Sequence, residues 1–253
     1  MKTVGLALAV LAALVFLLLA GLAVFLGSFT TEAFNRVAPT ITGTSATLHS
    51  ASLQPWNGVG TLDQLRIGNP PGWQSETLAS IDRIHVDVEP LSLLRETVVI
   101  NDLVIEGARF NFETKIVSSN LGDLLKQVER NTRPRSDQPE AKSSGTEKRF
   151  AVRHAVLRGA RVTLGVGTSA IEVQMPDLEL VDLGTPEQGL TAGQLATAAT
   201  RQIVAGVVAA VARSSGTLGA AGGATAIEAA KEAAKQLGEG LRSLIGREKP
   251  KTP

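Results

Sequence analysis

Between Val4 and Gly27 the chain runs 24 residues without a charge, and 21 of them are apolar. As a helix this stretch is about 36 Å long, enough to cross a bilayer with some tilt. Lys2 precedes it and Glu32 and Arg36 follow, a bias that favours the N-terminus inside and the rest of the chain outside. A secretory signal peptide is the rival reading, but its apolar region is normally shorter and ends in a small-x-small site. Gly27-Ser28-Phe29-Thr30-Thr31 makes a poor one. An uncleaved signal anchor over residues 1–30 is the expectation, with the remainder across a bacterial-type inner membrane.

Outside that segment the composition is ordinary. Basic and acidic residues number 25 and 24, so no overall field attracts nucleic acid. The absence of Cys excludes disulfides, thiolate metal sites and a cysteine nucleophile. With three His and no Tyr, catalytic vocabulary is thin; no cofactor, metal site or enzymatic activity is expected.

From Thr44 to about Thr114 short apolar alternations are broken by Gly, Asn and Pro, which predicts antiparallel strands. Ile84, Val86 and Val88 point to one face of a strand, His85 and Asp87 to the other. Parity flips at Asn101-Asp102 and at Gly107 mark bulges or turns. Leu121, Leu124, Leu125 and Val128 predict an amphipathic helix over 120–130, with Asn120 as its cap. Residues 131–148 hold almost nothing apolar and read as a disordered loop.

A repeat follows. Shifted by 52 residues, Ile100-Asn-Asp-Leu-Val-Ile-Glu-Gly-Ala-Arg-Phe-Asn-Phe112 lies on Val152-Arg-His-Ala-Val-Leu-Arg-Gly-Ala-Arg-Val-Thr-Leu164, which predicts one supersecondary unit used twice in a meandering sheet. A weaker echo pairs Gln64–Asn69 with Asp177–Asp182. Nine or ten strands would make a sheet roughly 40–50 Å long. The sheet domain, over 31–184, then gives way to an Ala-rich helical region over 185–253. Thr191–Gln194 and Thr225–Glu228 have capping-box form. The first helix should reach about Arg213, its uncharged core Ile203–Ala212 being too short to span a membrane. Ile227, Leu237, Leu241 and Leu244 lie on the apolar stripe of the second, a candidate partner-docking surface.

Chemistry-bearing residues are sparse. His85 and Asp87 share a strand face, which is half of an acid–base pair or plain wet surface. Gly165-Val-Gly167 lacks the following helix that a phosphate loop needs. The basic cluster Arg130, Arg133, Arg135, Lys142, Lys148 and Arg149 is interleaved with acids and has no stacking aromatics. It suits a solvated loop, or contact with anionic lipid head groups, but not nucleic acid. Trp56 and Trp73 each fill a core or sheet end, or lie at a membrane interface. The one-sided apolar sheet is the feature with functional reach: a plain core if helices close on it, an acyl-chain groove if it curves open.

The order of segments resembles a known family. The signal anchor is followed by Ala46-Thr-Leu-His-Ser-Ala-Ser-Leu53, Gly60-Thr-Leu-Asp-Gln-Leu-Arg-Ile-Gly-Asn-Pro-Pro-Gly-Trp73 and Leu78-Ala-Ser-Ile-Asp-Arg-Ile-His-Val-Asp-Val88. Then come Leu91-Ser-Leu-Leu94, Val98-Val-Ile-Asn-Asp-Leu-Val-Ile-Glu-Gly107 and Ser119-Asn-Leu-Gly-Asp-Leu125. Together they resemble the N-terminal region of the AsmA family of bacterial envelope proteins. The resemblance implies a mainly β fold with α: an N-terminal transmembrane helix, a curved antiparallel sheet forming an open trough or a taco-like fold, and here a helical C-terminal region. It implies a single-pass inner-membrane protein with its C-terminal domain in the periplasm. Its partners would be phospholipid acyl chains and, as a further partner, another envelope protein, and its role outer-membrane maintenance. The groove would be lined by Leu65, Ile67, Ile84, Val86, Val88, Ile100, Ile105, Phe110, Phe112, Val162 and Leu164. Larger family members are similar to bridge-like lipid transfer proteins; this chain stops early, which argues against a complete bridge.

Overall fold

The computed structural model describes residues 26–54, 56–115, 118–133, 148–165 and 170–218, with side chains as far as 214. The expected anchor (but for its last few residues), most of the polar loop and the second C-terminal helix, with Ile227, Leu237, Leu241 and Leu244, lie outside these residues.

Helix α1 occupies residues 26–42, so helix continues well beyond the expected end of the anchor. Strands β1 (Ala46–Gln54), β2 (Val59–Gly68) and β3 (Thr77–Val88) follow as an antiparallel ladder. A 3-10 turn, Pro90–Leu94, leads into β4 (Thr97–Glu106) and β5 (Arg109–Phe112). The small hairpin β6 (Thr114–Lys115) and β7 (Ser118–Ser119) opens helix α2 (Asn120–Asn131). Next come β8 (Arg149–Arg158), β9 (Arg161–Leu164), β10 (Ile171–Gln174), β11 (Leu178–Glu179), β12 (Leu190–Thr191) and helix α3 (Ala192–Leu218). The fold is mixed, with ten strands in one large, mostly antiparallel sheet.

Two pairings depart from the antiparallel meander. β4 pairs with β8, and β5 with β9, in parallel, and every partner is 52 residues away: Thr97 with Arg149, Asp102 with His154, Phe112 with Leu164. The two copies of the repeat therefore lie side by side in register. Parallel neighbours need a crossover, and α2 with the chain after it is that crossover; no hydrophobic pattern within the strands records it. At the junction of each copy Gly107 (φ +66°) and Gly159 (φ +59°) are left-handed, a conformation that glycine adopts without steric penalty. The next residues, Ala108 and Ala160, are almost fully buried. Their carbonyls accept from Arg161 N (2.9 Å) and Met175 N (2.8 Å), the neighbouring row in each case. The expected irregularity at Asn101-Asp102 is present as a bulge, because Asp87 pairs with Asp102 while Val88 pairs with Ile100. The weaker echo makes no such pair: β2 lies beside β1 and β3, β11 beside β8.

The kinks also shorten the sheet. β3 runs first along β5 and then along β4, so those two strands share one row. β8 with β9 forms the next, and β10, β11 and β12 the last. Ten strands thus fill six rows, about 24 Å across at a 4.8 Å spacing, roughly half the expected extent.

Helices α2 and α3 pack on the apolar side, and Phe34 and Ile41 of α1 pack partly buried against the same cluster. Leu121, Leu124, Leu125 and Val128 of α2 and Val204, Val207, Val208 and Val211 of α3 are buried in one cluster with the sheet's inner residues. The N-cap of α2 is Ser119, whose Oγ accepts from Gly122 N at 3.1 Å. Asn120, the expected cap, is the first helical residue and is used elsewhere. The Thr191–Gln194 capping box is present: Gln194 N donates to Thr191 Oγ1 (3.3 Å) and Thr191 N to Gln194 Oε1 (2.9 Å). Both sheet edges are met by a helix-borne amide. Leu48 N donates to Asn35 Oδ1 (2.6 Å) and Asn35 Nδ2 to Leu48 O (3.1 Å). Across the molecule, Val181 N donates to Gln202 Oε1 (2.9 Å) and Gln202 Nε2 to Val181 O (2.8 Å). Each amide stands in for a strand at an otherwise open edge.

Candidate functional site

The residues implied as a groove floor are brought together. Leu65, Ile84, Ile105, Phe110, Phe112, Val162 and Leu164 are buried in the central cluster, and Ile67, Val86 and Ile100 pack partly buried against it. Val88, at the end of β3, is half-buried outside that cluster. The face is covered. Phe110 and Phe112, 4% and 3% exposed, share the cluster with the apolar rows of α2 and α3, and an open trough is not what the described residues display.

The cover has unusual composition. Within α3, the stretch Ala192–Ser214 contains an 18-residue window of mean hydropathy 1.6, and among the described residues it is the one stretch of helix long and apolar enough to cross a membrane. Judging only the uncharged core Ile203–Ala212 underestimates it, because the helix continues through Arg201 and Arg213. Here it is held on the sheet. Arg201 Nη2 pairs with Glu129 of α2 at 2.7 Å, and the Thr197 and Thr132 hydroxyls are 2.9 Å apart.

The opposite face of the sheet carries charge. Asp63 pairs with Arg83 (2.7 Å), Asp102 with His154 (2.9 Å) and Arg161 with Glu172 (3.6 Å), all between neighbouring strands. His85 faces Glu106 at 3.8 Å, while Asp87 accepts from Asn101 Nδ2 at 3.4 Å. His85 and Asp87 thus engage different partners, and among the described residues no cluster of three His, Asp or Glu could hold a metal. Pairs so exposed add little to stability.

A polar knot, missed from sequence, lies at the end of the sheet where β2 turns into β3. The buried Glu113 carboxylate accepts from Gln74 N (2.8 Å), Ser75 N (2.7 Å) and Asn69 Nδ2 (3.2 Å). Burial pushes this carboxyl up, but the hydrogen bonds from Ser75, Gln74 and Asn69 outweigh it and hold the pKa below the usual value. Asn120 Nδ2 donates to Asn69 Oδ1 (2.9 Å) and Asn111 O (2.6 Å), and its Oδ1 accepts from Glu113 N (3.1 Å) and Leu121 N (2.9 Å). The Ile-Gly-Asn-Pro-Pro-Gly loop is thereby tied to the start of α2. Every group in the knot has a protein partner, so it is a clamp and not a binding site. Lys115 Nζ, 4.4 Å above the Trp73 ring, closes the same end. A cavity of about 590 Å³ between α1 and β1 is lined by Gly27, Thr31, Glu32, Asn35, His49 and Ala51, among others.

Two of the words that carried the family resemblance supply Asn69 and Asn120 of the knot, and a third supplies β4 with its Gly107 kink. The AsmA family model matches residues 1–205. The chain belongs to the AsmA family. No curated protein matches it. Membership in the AsmA family is consistent with an envelope-associated protein.

Proposed function

We propose that this AsmA-family chain is a non-enzymatic inner-membrane protein that binds or hands over lipid acyl chains on the apolar face of its periplasmic sheet. The observation that supports this is the nature of the cover. A helix with one polar side would be trapped on the sheet by water; from Ile203 to Ala212 α3 has no polar side chain on any face, so moving that stretch from the sheet to lipid exposes little apolar surface to water. Its valine row occupies the place that an acyl chain would take, and exchanging the two conserves apolar contact. No cofactor, metal or nucleic acid enters the reading.

The chain has no cysteine, so a lock can be placed cleanly. In the double variant Thr132→Cys, Thr197→Cys, oxidation should pin α3 to the end of α2. The reduced protein is expected to copurify with phospholipid and take up labelled lipid, and the oxidised protein to lose most of that uptake. Failure of both forms to carry lipid would overturn the proposal. A membrane-tethered scaffold is the second reading, supported by the helices that fill the face over Phe110 and Phe112. It expects a stoichiometric protein partner and no lipid in either redox state.

A further inference from the structure

Eight large apolar side chains are markedly exposed among the described residues, and six cluster toward one end of the sheet: Phe29, Trp56, Val59, Leu91, Leu93 and Leu94. The β1–β2 turn and the 3-10 turn after β3 meet there, Val88 N donating to Gly58 O at 2.9 Å. Leu91 and Leu94 are 66% and 86% exposed, although this turn is internally well ordered: Ser92 is fully buried and its Oγ accepts from Val99 N at 2.9 Å. A rigid turn that presents leucines to solvent is built to meet something apolar.

The position of α1 says what. Gly27 lies against Ala51, and Asn35 bonds Leu48, so α1 runs antiparallel to β1 and its first residues point toward this same end. Gly27 is also the last residue of the uncharged run that starts at Val4. If that run, about 36 Å long as a helix, spans an apolar layer of about 30 Å, Gly27 lies a few ångströms outside the layer, among the headgroups. The sheet continues from Ala51 past Gln54, about 10 Å further toward the bilayer, which carries its end through the headgroup region. The polar groups at this end are engaged within the chain: Lys148 Nζ donates to the carbonyls of Leu93 and Arg95. Glu89 is paired with both Arg95 (3.3 Å) and Arg153 (3.4 Å).

We infer that this end of the sheet is a second membrane contact, a foot in which Trp56, Leu91, Leu93 and Leu94 insert into the headgroup layer beside the anchor. It stands the sheet upright on the bilayer, with the Glu113 knot and Trp73 at the far end. The inference rests on the anchor reading of Val4–Gly27, and does not depend on whether the apolar face carries lipid.

The two tryptophans provide the test, because they lie at opposite ends. Full-length Trp73→Phe and Trp56→Phe variants are reconstituted into vesicles of phosphatidylethanolamine and phosphatidylglycerol containing dibrominated phosphatidylcholine. Trp56, left alone, is expected to lose about half its emission or more, as an interfacial tryptophan does; Trp73, left alone, should stay close to its value in unbrominated vesicles. Leu91→Glu with Leu94→Glu should relieve the quenching of Trp56 while leaving the melting temperature unchanged. Protein that floats with its vesicles while Trp56 stays bright overturns the foot and leaves the anchor standing. Failure to float overturns both. Equal quenching of the two tryptophans overturns the upright orientation, and burial of Trp56 that depends on protein concentration and not on lipid assigns the patch to a second copy instead.

Discussion

At the scale of single residues, the most consequential side chain is one that no motif announces. Glu113 alternates with nothing and belongs to no recognisable pair in the sequence. Its role arises because Gln74 N, Ser75 N and Asn69 converge on it from a loop about forty positions earlier. Asn69 and Asn120 were visible inside recognisable words, but their bond to each other was not. The lowered pKa of Glu113 fixes the sign of a pH effect. A carboxyl that titrates lower when folded adds stability above its unfolded pKa, and that stability is lost as pH falls through the folded value. Stability against urea should therefore fall in the wild type as the pH drops below the ordinary carboxyl value of 4.5. Glu113→Gln should be less stable at neutral pH, by about 2 kcal/mol for the lost charge-assisted bonds, and flatter across the acid window. An unchanged acid slope in the variant would remove Glu113 from this role.

At the scale of elements, what was legible is what a single strand or helix carries in its own pattern. The Ile84, Val86, Val88 alternation, the α2 stripe, the Thr191 capping box and the repeat itself all have counterparts in the structure. Pairing was not legible. Periodicity assigns a face to a strand but not a neighbour, so β4 beside β8 required the crossover to be known. The first helix was cut short for a related reason: polar residues after Gly27 resembled an end, whereas Phe34 and Ile41 pack on the core. The paired kinks make a comparison available within one molecule. A Cβ at Gly107 would meet the Asp82 carboxylate at 2.4 Å, whereas one at Gly159 meets nothing within 4 Å. Gly159→Ala should cost only the left-handed backbone strain, about 1–2 kcal/mol, and Gly107→Ala visibly more. Thermal melts of the two variants read the difference, and adding Asp82→Ala should recover only the carboxylate's part of it, because the Cβ of residue 82 would itself lie 2.8 Å away. Equal losses would mean that the two kinks have the same surroundings.

At the scale of the molecule, the described core draws its buried residues from between Gly27 and Val211. The lipid reading therefore places the activity in the sheet and α3, and the scaffold reading places it in the apolar stripe of Ile227, Leu237, Leu241 and Leu244. A chain ended after Leu218 separates them. It is expected to keep its melting temperature within about 2 °C and to carry lipid as the full chain does; a truncation that retains the fold but abolishes lipid uptake would shift the function to the tail.

The in-register pairing of the two repeat copies also sets a growth rule. Because each copy lies alongside the last at a constant offset of 52 residues, adding a unit would widen the sheet by a single strand spacing, about 4.8 Å. Reach gained in this way is slow in chain length: an increment of 50 Å would take roughly ten further units. Here the row after the second copy turns back antiparallel through β10 and β11 and ends against Gln202, so the progression stops at two. A lineage that needed a longer molecule would have to release that returning row first.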